Sequence, residues 1–149
     1  MRSTSPRYLL DLNALISLAD PDSIHYKAMQ RWFDSSGKHD WGVCPLTESG
    51  FVRVTTNPKY GGATRTVAQA TAVLAAFSKV KGYRYWPLQH SWAELTAAFA
   101  TRIKGHQQVT DAYLLGMAIR ENGVLVTFDT SIAYLAGNDF GRNLQILGT

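Results

Sequence analysis

The chain of 149 residues has a single cysteine, Cys44. One thiol cannot close an internal disulfide, so a packed core must hold the fold, and a reducing cytoplasm is the expected compartment. Charge is also scarce: charged residues are 17% of the chain against 46% hydrophobic, which excludes a disordered chain. Long apolar runs are missing. No segment approaches the ~20 residues of a membrane span, and Met1–Pro6 is polar and lacks the apolar core of a signal peptide. Several chemistries lack their motifs as well. Gly61-Gly62 has neither the Lys nor the spacing of a phosphate-binding loop. Cys44 and four scattered histidines give no zinc spacing. No Gly-x-Ser-x-Gly elbow marks a serine nucleophile.

What is present suits one domain (1–149, with 1–6 as a polar extension), since a chain of this size buries roughly 70% of its unfolded surface. Lys plus Arg number 15 against 11 acidic residues, a net charge of +4 compatible with a polyanionic partner. Tyr8-Leu9-Leu10 is a short apolar run that stops on Asp11, as a strand buried on both faces would. Helical stripes follow: Ala14, Leu15, Leu18; then Ile24, Ala28, Met29, Trp32 and Phe33, opened by Ser23. Trp41–Cys44 reads as a strand and Pro45 as the first turn of a helix carrying Glu48, Phe51, Val52 and Thr55. Thr64 or Thr66 opens a longer helix, and residues 83–86 are β-prone. Ser91 caps one helix bearing Trp92, Leu95, Phe99 and Ile103, and Thr110 caps another bearing Leu114, Leu115, Ala118 and Ile119. Val124-Leu125-Val126 is a second apolar strand, a short helix covers 131–136, and Leu144–Leu147 adds an edge strand. Strands alternating with helices imply a parallel α/β sheet covered on both faces.

Four carboxylates fall at strand C-ends or helix starts, which share one edge of such a sheet. Asp11 follows the first strand and Asp129 the strand 124–126. Glu48 and Asp111 lie in first helical turns, and Asp111 shares the inward stripe of Leu114 and Leu115. Each also has a plainer role: Asp11 and Asp129 suit helix caps, and Asp111 suits the helix dipole. Crowded together without a cation they repel. A hard divalent ion resolves that, with Asp11 and Asp111 as direct ligands and Glu48 and Asp129 direct or through water, and such a site activates water against a phosphodiester.

In order, Leu-Leu-Asp-Leu-Asn (9–13), Cys-Pro-Leu-Thr-Glu-Ser-Gly-Phe-Val-Arg-Val (44–54), Gly-His-Gln-Gln-Val-Thr-Asp-Ala-Tyr-Leu-Leu (105–115) and Val-Thr-Phe-Asp (126–129) resemble the PIN-domain nucleases, and within them the VapC-type toxins of bacterial toxin–antitoxin pairs. The resemblance implies a three-layer α/β/α fold around a parallel sheet of about five strands. It implies Mg²⁺- or Mn²⁺-dependent endoribonuclease activity on structured RNA such as tRNA or rRNA, a homodimer and inhibition by a cognate antitoxin. Asp11, Glu48, Asp111 and Asp129 fall on the family's acidic positions, and Asn13 and Thr127 on polar positions beside them. Arg102, Lys104 and His106 precede Asp111 and are expected to bind backbone phosphates; Arg53, after Glu48, is expected to reach a phosphate or brace an acidic ligand. Lys79, Lys81 and Arg84 interleave with Tyr83, Tyr85 and Trp86, a pattern that suits a single-strand platform or simply a solvated helix end running into core aromatics. Two other classes compete. One is a phosphatase with Asp11 as nucleophile, although position 13 then carries an amide where an acid is wanted. The other is a non-catalytic, receiver-like protein-binding module.

Overall fold

The computed structural model describes residues 6–61 and 64–148. Met1–Ser5 of the polar extension and Gly62 of the glycine loop lie outside the described residues. Four parallel strands, β1 (Tyr8–Leu10), β2 (Trp41–Gly42), β3 (Val124–Thr127) and β4 (Leu144–Ile146), form one sheet in the order β2-β1-β3-β4. The two apolar runs are its centre, with Leu9 opposite Leu125 and Leu10 opposite Val126.

Side chains alternate across a strand, so the central pair feeds two cores. Leu9 and Leu125 join Leu114, Leu115, Leu95, Phe99 and Ile132 on one face. Tyr8, Leu10 and Val126 join Leu15, Met29, Trp41 and Phe51 on the other. Helices α1 (Leu12–Ala19), α2 (Tyr26–Ser35), α3 (Pro45–Thr55) and α4 (Val67–Ser78) cover the second face; α5 (Trp92–Thr96), α6 (Val109–Arg120) and α7 (Ile132–Ala136) cover the first. Each fully buried leucine contributes ~1.5–3 kcal/mol. This is the expected three-layer α/β/α arrangement. Among the described residues no helix is long and apolar enough to cross a membrane.

The sheet has four strands where about five were expected. The β-prone segment 83–86 does run beside β2: the Arg84 amide donates to the Trp41 carbonyl (2.7 Å) and the Trp86 amide to the Val43 carbonyl (3.0 Å). Only one bridge, Trp41 to Tyr83, forms. β2 is two residues long before Pro45 turns it into α3, and Pro87 has no N–H to extend the ladder. Gly42 permits this approach, since a Cβ there would lie 1.9 Å from the Arg84 carbonyl oxygen.

Three helix boundaries also differ from the sequence reading. Ser23 does not open α2; its hydroxyl accepts the His25 amide in a turn, and Ile24 is left outside the helix, 84% exposed. The helix capped by Ser91 stops at Thr96 and continues as a 3₁₀ segment, Ala97–Arg102, bent at Phe99, which turns its ring into the core against Phe140. Thr110 lies inside α6, which runs on directly from a 3₁₀ turn at His106–Gln108. Thr66, in contrast, does cap α4, in a reciprocal box with Gln69.

The contact between α5 and α6 gives a stability test. A Cβ on Gly116 would stand 2.5 Å from the Leu95 carbonyl oxygen. Alanine normally favours a helix over glycine by ~1 kcal/mol, but here overpacking against backbone outweighs that, costing ~1–3 kcal/mol. Gly116→Ala is expected to lower the thermal midpoint in calorimetry; an unchanged or raised midpoint would contradict so close an approach.

Candidate active site

At the C-terminal edge of the sheet the two central strands, β1 and β3, each turn toward a helix on an aspartate. Asp11 follows β1, is 6% exposed, and is held at both carboxylate oxygens. Oδ1 accepts the Leu12 amide at 2.7 Å, capping α1, and Oδ2 accepts the Thr127 hydroxyl at 2.8 Å. Thr127 ends β3 and is fully buried. Its single proton has two acceptors in reach, Asp11 Oδ2 at 2.8 Å and Asn13 Oδ1 at 3.4 Å, and the shorter contact takes it. Its oxygen then accepts from Asn13 Nδ2 (3.1 Å) and from the Asp129 amide (3.0 Å). Asn13 Oδ1 accepts the Phe128 amide at 3.1 Å. Asp129 Oδ1 accepts both the amide (2.9 Å) and the hydroxyl (2.7 Å) of Ser131.

Asp111 enters from the first turn of α6. Burial, then the charges of Asp11 and Asp129, push its pKa up to about 7. Asp11 is also raised, chiefly by burial, with the Thr127 and Leu12 hydrogen bonds pulling the other way and Asp129 adding to the rise. Three carboxylates from three elements therefore sense one another across the rim. Asp111 and Asp129 line a cleft of about 510 Å³ with Lys104, Gly105, His106, Gln107, Gln108 and Ser131, and Asp11 lies buried behind them.

Glu48 stands apart. Its pKa is raised by burial, with no other carboxylate contributing. Its charge is felt by Tyr83 and Tyr85, and it lines a groove between α3 and α4 with Val52, Thr71, Leu74 and Ser78. The basic residues divide similarly. Lys104 and His106 reach the cleft. Arg102 does not line the cleft: Nη1 donates to the Leu135 and Ala136 carbonyls (3.0 Å each) and Nη2 to Asp139 (3.0 Å), closing the end of α7. Arg53 lines a separate groove with Asn57, Lys59 and Tyr60. Arg84 pairs with Asp40 at 2.7 Å and Trp86 is buried, so the 79–86 segment is no open platform. Sequence reasoning missed Ser131, although a serine two residues after an aspartate is a usual turn signal. His25, which the sequence gives as a surface or packing residue rather than a base, stacks its ring on Phe128 beside Asp129.

The donor set suits a hard cation: all oxygen, acidic, and mutually repelling until a positive charge is placed among them. Among the described residues no three His, Cys, Asp or Glu side chains stand close enough to chelate an ion as they are. Mg²⁺ does not require that, since it keeps several waters and takes one or two carboxylates.

Residues 8–138 match the PIN domain family. The chain is 42% identical over 128 residues to ribonuclease VapC38 of Mycobacterium tuberculosis, covering 86% of this chain and 89% of that protein. It is 38% identical over 125 residues to ribonuclease VapC39 of the same organism, covering 84% and 90%. In fold it is similar to FitAcB from Neisseria gonorrhoeae (TM-score 0.61, 16% identity, 87% of this chain and 92% of that one). It is also similar to VapBC2 from Rickettsia felis, solved bound to a DNA fragment from their promoter (TM-score 0.59, 16% identity, 95% and 98%).

Carboxylate repulsion predicts a pH dependence. Folded Asp111 keeps its proton to about 7, whereas an unfolded one loses it near 3.8. Between those values the folded state binds more protons, so stability falls as pH rises through the window. The carboxyl is partly solvated, which discounts the effect to ~1–2 kcal/mol. With EDTA present, thermal melts should give a higher midpoint at about pH 5 than at about pH 8. Asp111→Asn should flatten that difference by raising the value at the higher pH; identical profiles for both proteins would remove the repulsion from the account.

Proposed function

This chain belongs to the PIN-domain family, and from that premise we propose that it is a metal-dependent endoribonuclease, the toxin of a toxin–antitoxin pair. The observation that carries the reading is that Asp111 and Asp129 line one cleft with Lys104 and His106, with the buried Asp11 close enough for its charge to raise the Asp111 pKa. The ribonuclease names of its M. tuberculosis relatives support the chemistry, and the VapBC and FitAcB complexes support an antitoxin partner. The substrate is structured RNA such as tRNA or rRNA, the protein works as a homodimer in the cytoplasm, and residues 1–149 act as one domain.

Asp11 and Asp111 are the direct ligands of Mg²⁺ or Mn²⁺, with Asp129 completing the rim. When bound, the ion supplies positive charge against the phosphate and acidifies water near neutral pH. The chain's own residues do the rest. Thr127 and Leu12 fix the orientation of the Asp11 carboxylate, one donor to each oxygen. Asn13 holds Thr127 and the Phe128 amide, fixing the strand tip. Lys104 and His106 hold backbone phosphates against the carboxylate field. Glu48 belongs to the same site by family position and acts from its own side of the rim through water, since its groove lies toward α4.

The two competing classes fare worse. An aspartyl nucleophile wants an acid two residues on, and position 13 is an amide engaged with Thr127. A receiver-like module gives no reason for a carboxylate from α6 to join the strand-end pair.

Purified protein is expected to cut structured RNA with Mg²⁺ or Mn²⁺ and to stop in EDTA. Asp11→Asn and Asp111→Asn should each lower the rate at least ~100-fold, and Thr127→Val ~10–100-fold by loosening Asp11. Mapping 5′ ends of RNA after induction in cells measures the same loss; undiminished cleavage in both Asp variants would discard the metal assignment.

A further inference from the structure

The aromatic pair beside Asp129 has no part in holding the carboxylates. His25 lies in the turn before α2, its amide fixed by the Ser23 hydroxyl at 3.1 Å. Its ring stacks on Phe128 with centroids 4.1 Å apart and planes 17° from parallel. Both residues are half-buried. His25 Nδ1 is buried with no hydrogen-bond partner among the described residues, an arrangement a residue kept only for packing gains nothing from. Ile24, next to it, is 84% exposed. Phe128 separates Thr127 from Asp129, and its amide is pinned by Asn13, so the stack cannot drift from the carboxylate rim.

The two walls of the site come from different layers. Phe128 packs with α1 and α2 on one face of the sheet, and Asp111 rises from α6 on the other, next to the Lys104–Gln108 wall. Phosphates are served on the α6 side. The α1/α2 side offers the half-buried His25–Phe128 stack beside the exposed Ile24 instead, and flat rings in parallel register take a third ring well. Single-stranded RNA supplies one: unpaired bases splay out and stack on Phe, Tyr, Trp and His.

We infer that His25, seated on Phe128 and flanked by Ile24, forms a nucleobase-stacking subsite that holds an unpaired base next to the phosphate at the carboxylate rim. This rests on the nuclease reading above and adds to it a site for the base on the α1/α2 side. Because every base has a π-face, the subsite favours unpaired over paired RNA more than it selects a sequence.

The probe is a single-stranded 12-nucleotide RNA carrying 2-aminopurine at successive positions, bound to the full chain in Ca²⁺ and then assayed for cleavage in Mg²⁺. Stacking quenches the probe. Wild type and His25→Phe are expected to quench it at one or two adjacent positions. His25→Ala and His25→Leu, the second keeping the packing volume without a π-face, should relieve the quench and weaken binding on the order of 10-fold. In cleavage the loss should fall mainly in KM and be restored by His25→Phe. Equal binding and quenching in the Ala and Leu variants, or no binding of the probe by wild type, overturns the subsite. His25-dependent quenching with no cleavage of the probe or of tRNA and rRNA in Mg²⁺ upholds the subsite and overturns the nuclease reading; cleavage of any of them with His25-independent binding does the reverse.

Discussion

One hydroxyl group holds the rim together. Thr127 is fully buried at the end of β3, gives its proton to Asp11, and receives from Asn13 and from the Asp129 amide. A threonine oxygen can do no more than this. Through it the end of β1, the start of α1, the end of β3 and the turn after it share one geometry. That geometry depends in turn on strand register, since the Asp11 amide donates to the Val126 carbonyl at 2.9 Å and Leu10 lies opposite Val126. A slip of one residue would turn Thr127 to the other face and leave Asp11 with a buried, unmatched oxygen.

The same constraint sets the electrostatics. Asp11 is the more deeply buried carboxylate, yet two donors favour its charge. Asp111 receives no side-chain donor among the described residues and stands in the field of the other two, so it is the one that keeps a proton to about 7. The site thus stores its repulsion in the group on α6, which packs against the sheet from one side, and not in the strand-tip network. Chain charge works at longer range: 15 basic against 11 acidic residues favour a polyanion, and Lys104 brings a positive charge to the cleft.

Legibility in the sequence followed the range of the forces involved. The runs 8–10 and 124–126 announce buried strands because burial on both faces demands apolar residues without a break. Asp11, Asp111 and Asp129 could be placed on one rim because right-handed parallel topology allows little else. What could not be read depends on partners distant in the chain. Arg102 looked like a phosphate ligand from its neighbours, but carbonyls at 135 and 136 claim it. Glu48 fits the acidic pattern in order, but the direction of its side chain is fixed by how α4 lies on α3. The 83–86 segment has strand-forming residues, but the shortness of β2 denies it a full ladder. His25 had no pattern at all, since its partner is 103 positions along the chain from it, at Phe128.

Cap and functional group are often weighed as rival explanations of an aspartate, and here they coincide. Strand C-ends and helix N-termini share an edge, so a residue that caps the helix after a strand already stands where a parallel sheet does its chemistry. Asp11 caps α1 with Oδ1 and spends Oδ2 on Thr127; Asp129 holds Ser131 in the same manner. A cap at Asp11 and a side-chain turn at Asp129 therefore fix two carboxylates by local bonds before anything binds. Asp111 and Glu48 sit within first turns, and among the described residues neither accepts a capping hydrogen bond. The rim divides into a rigid pair, set by strand register, and two acids free to adjust. A site built so can keep the geometry of its attacking side constant while the opposite side accommodates substrate and charge.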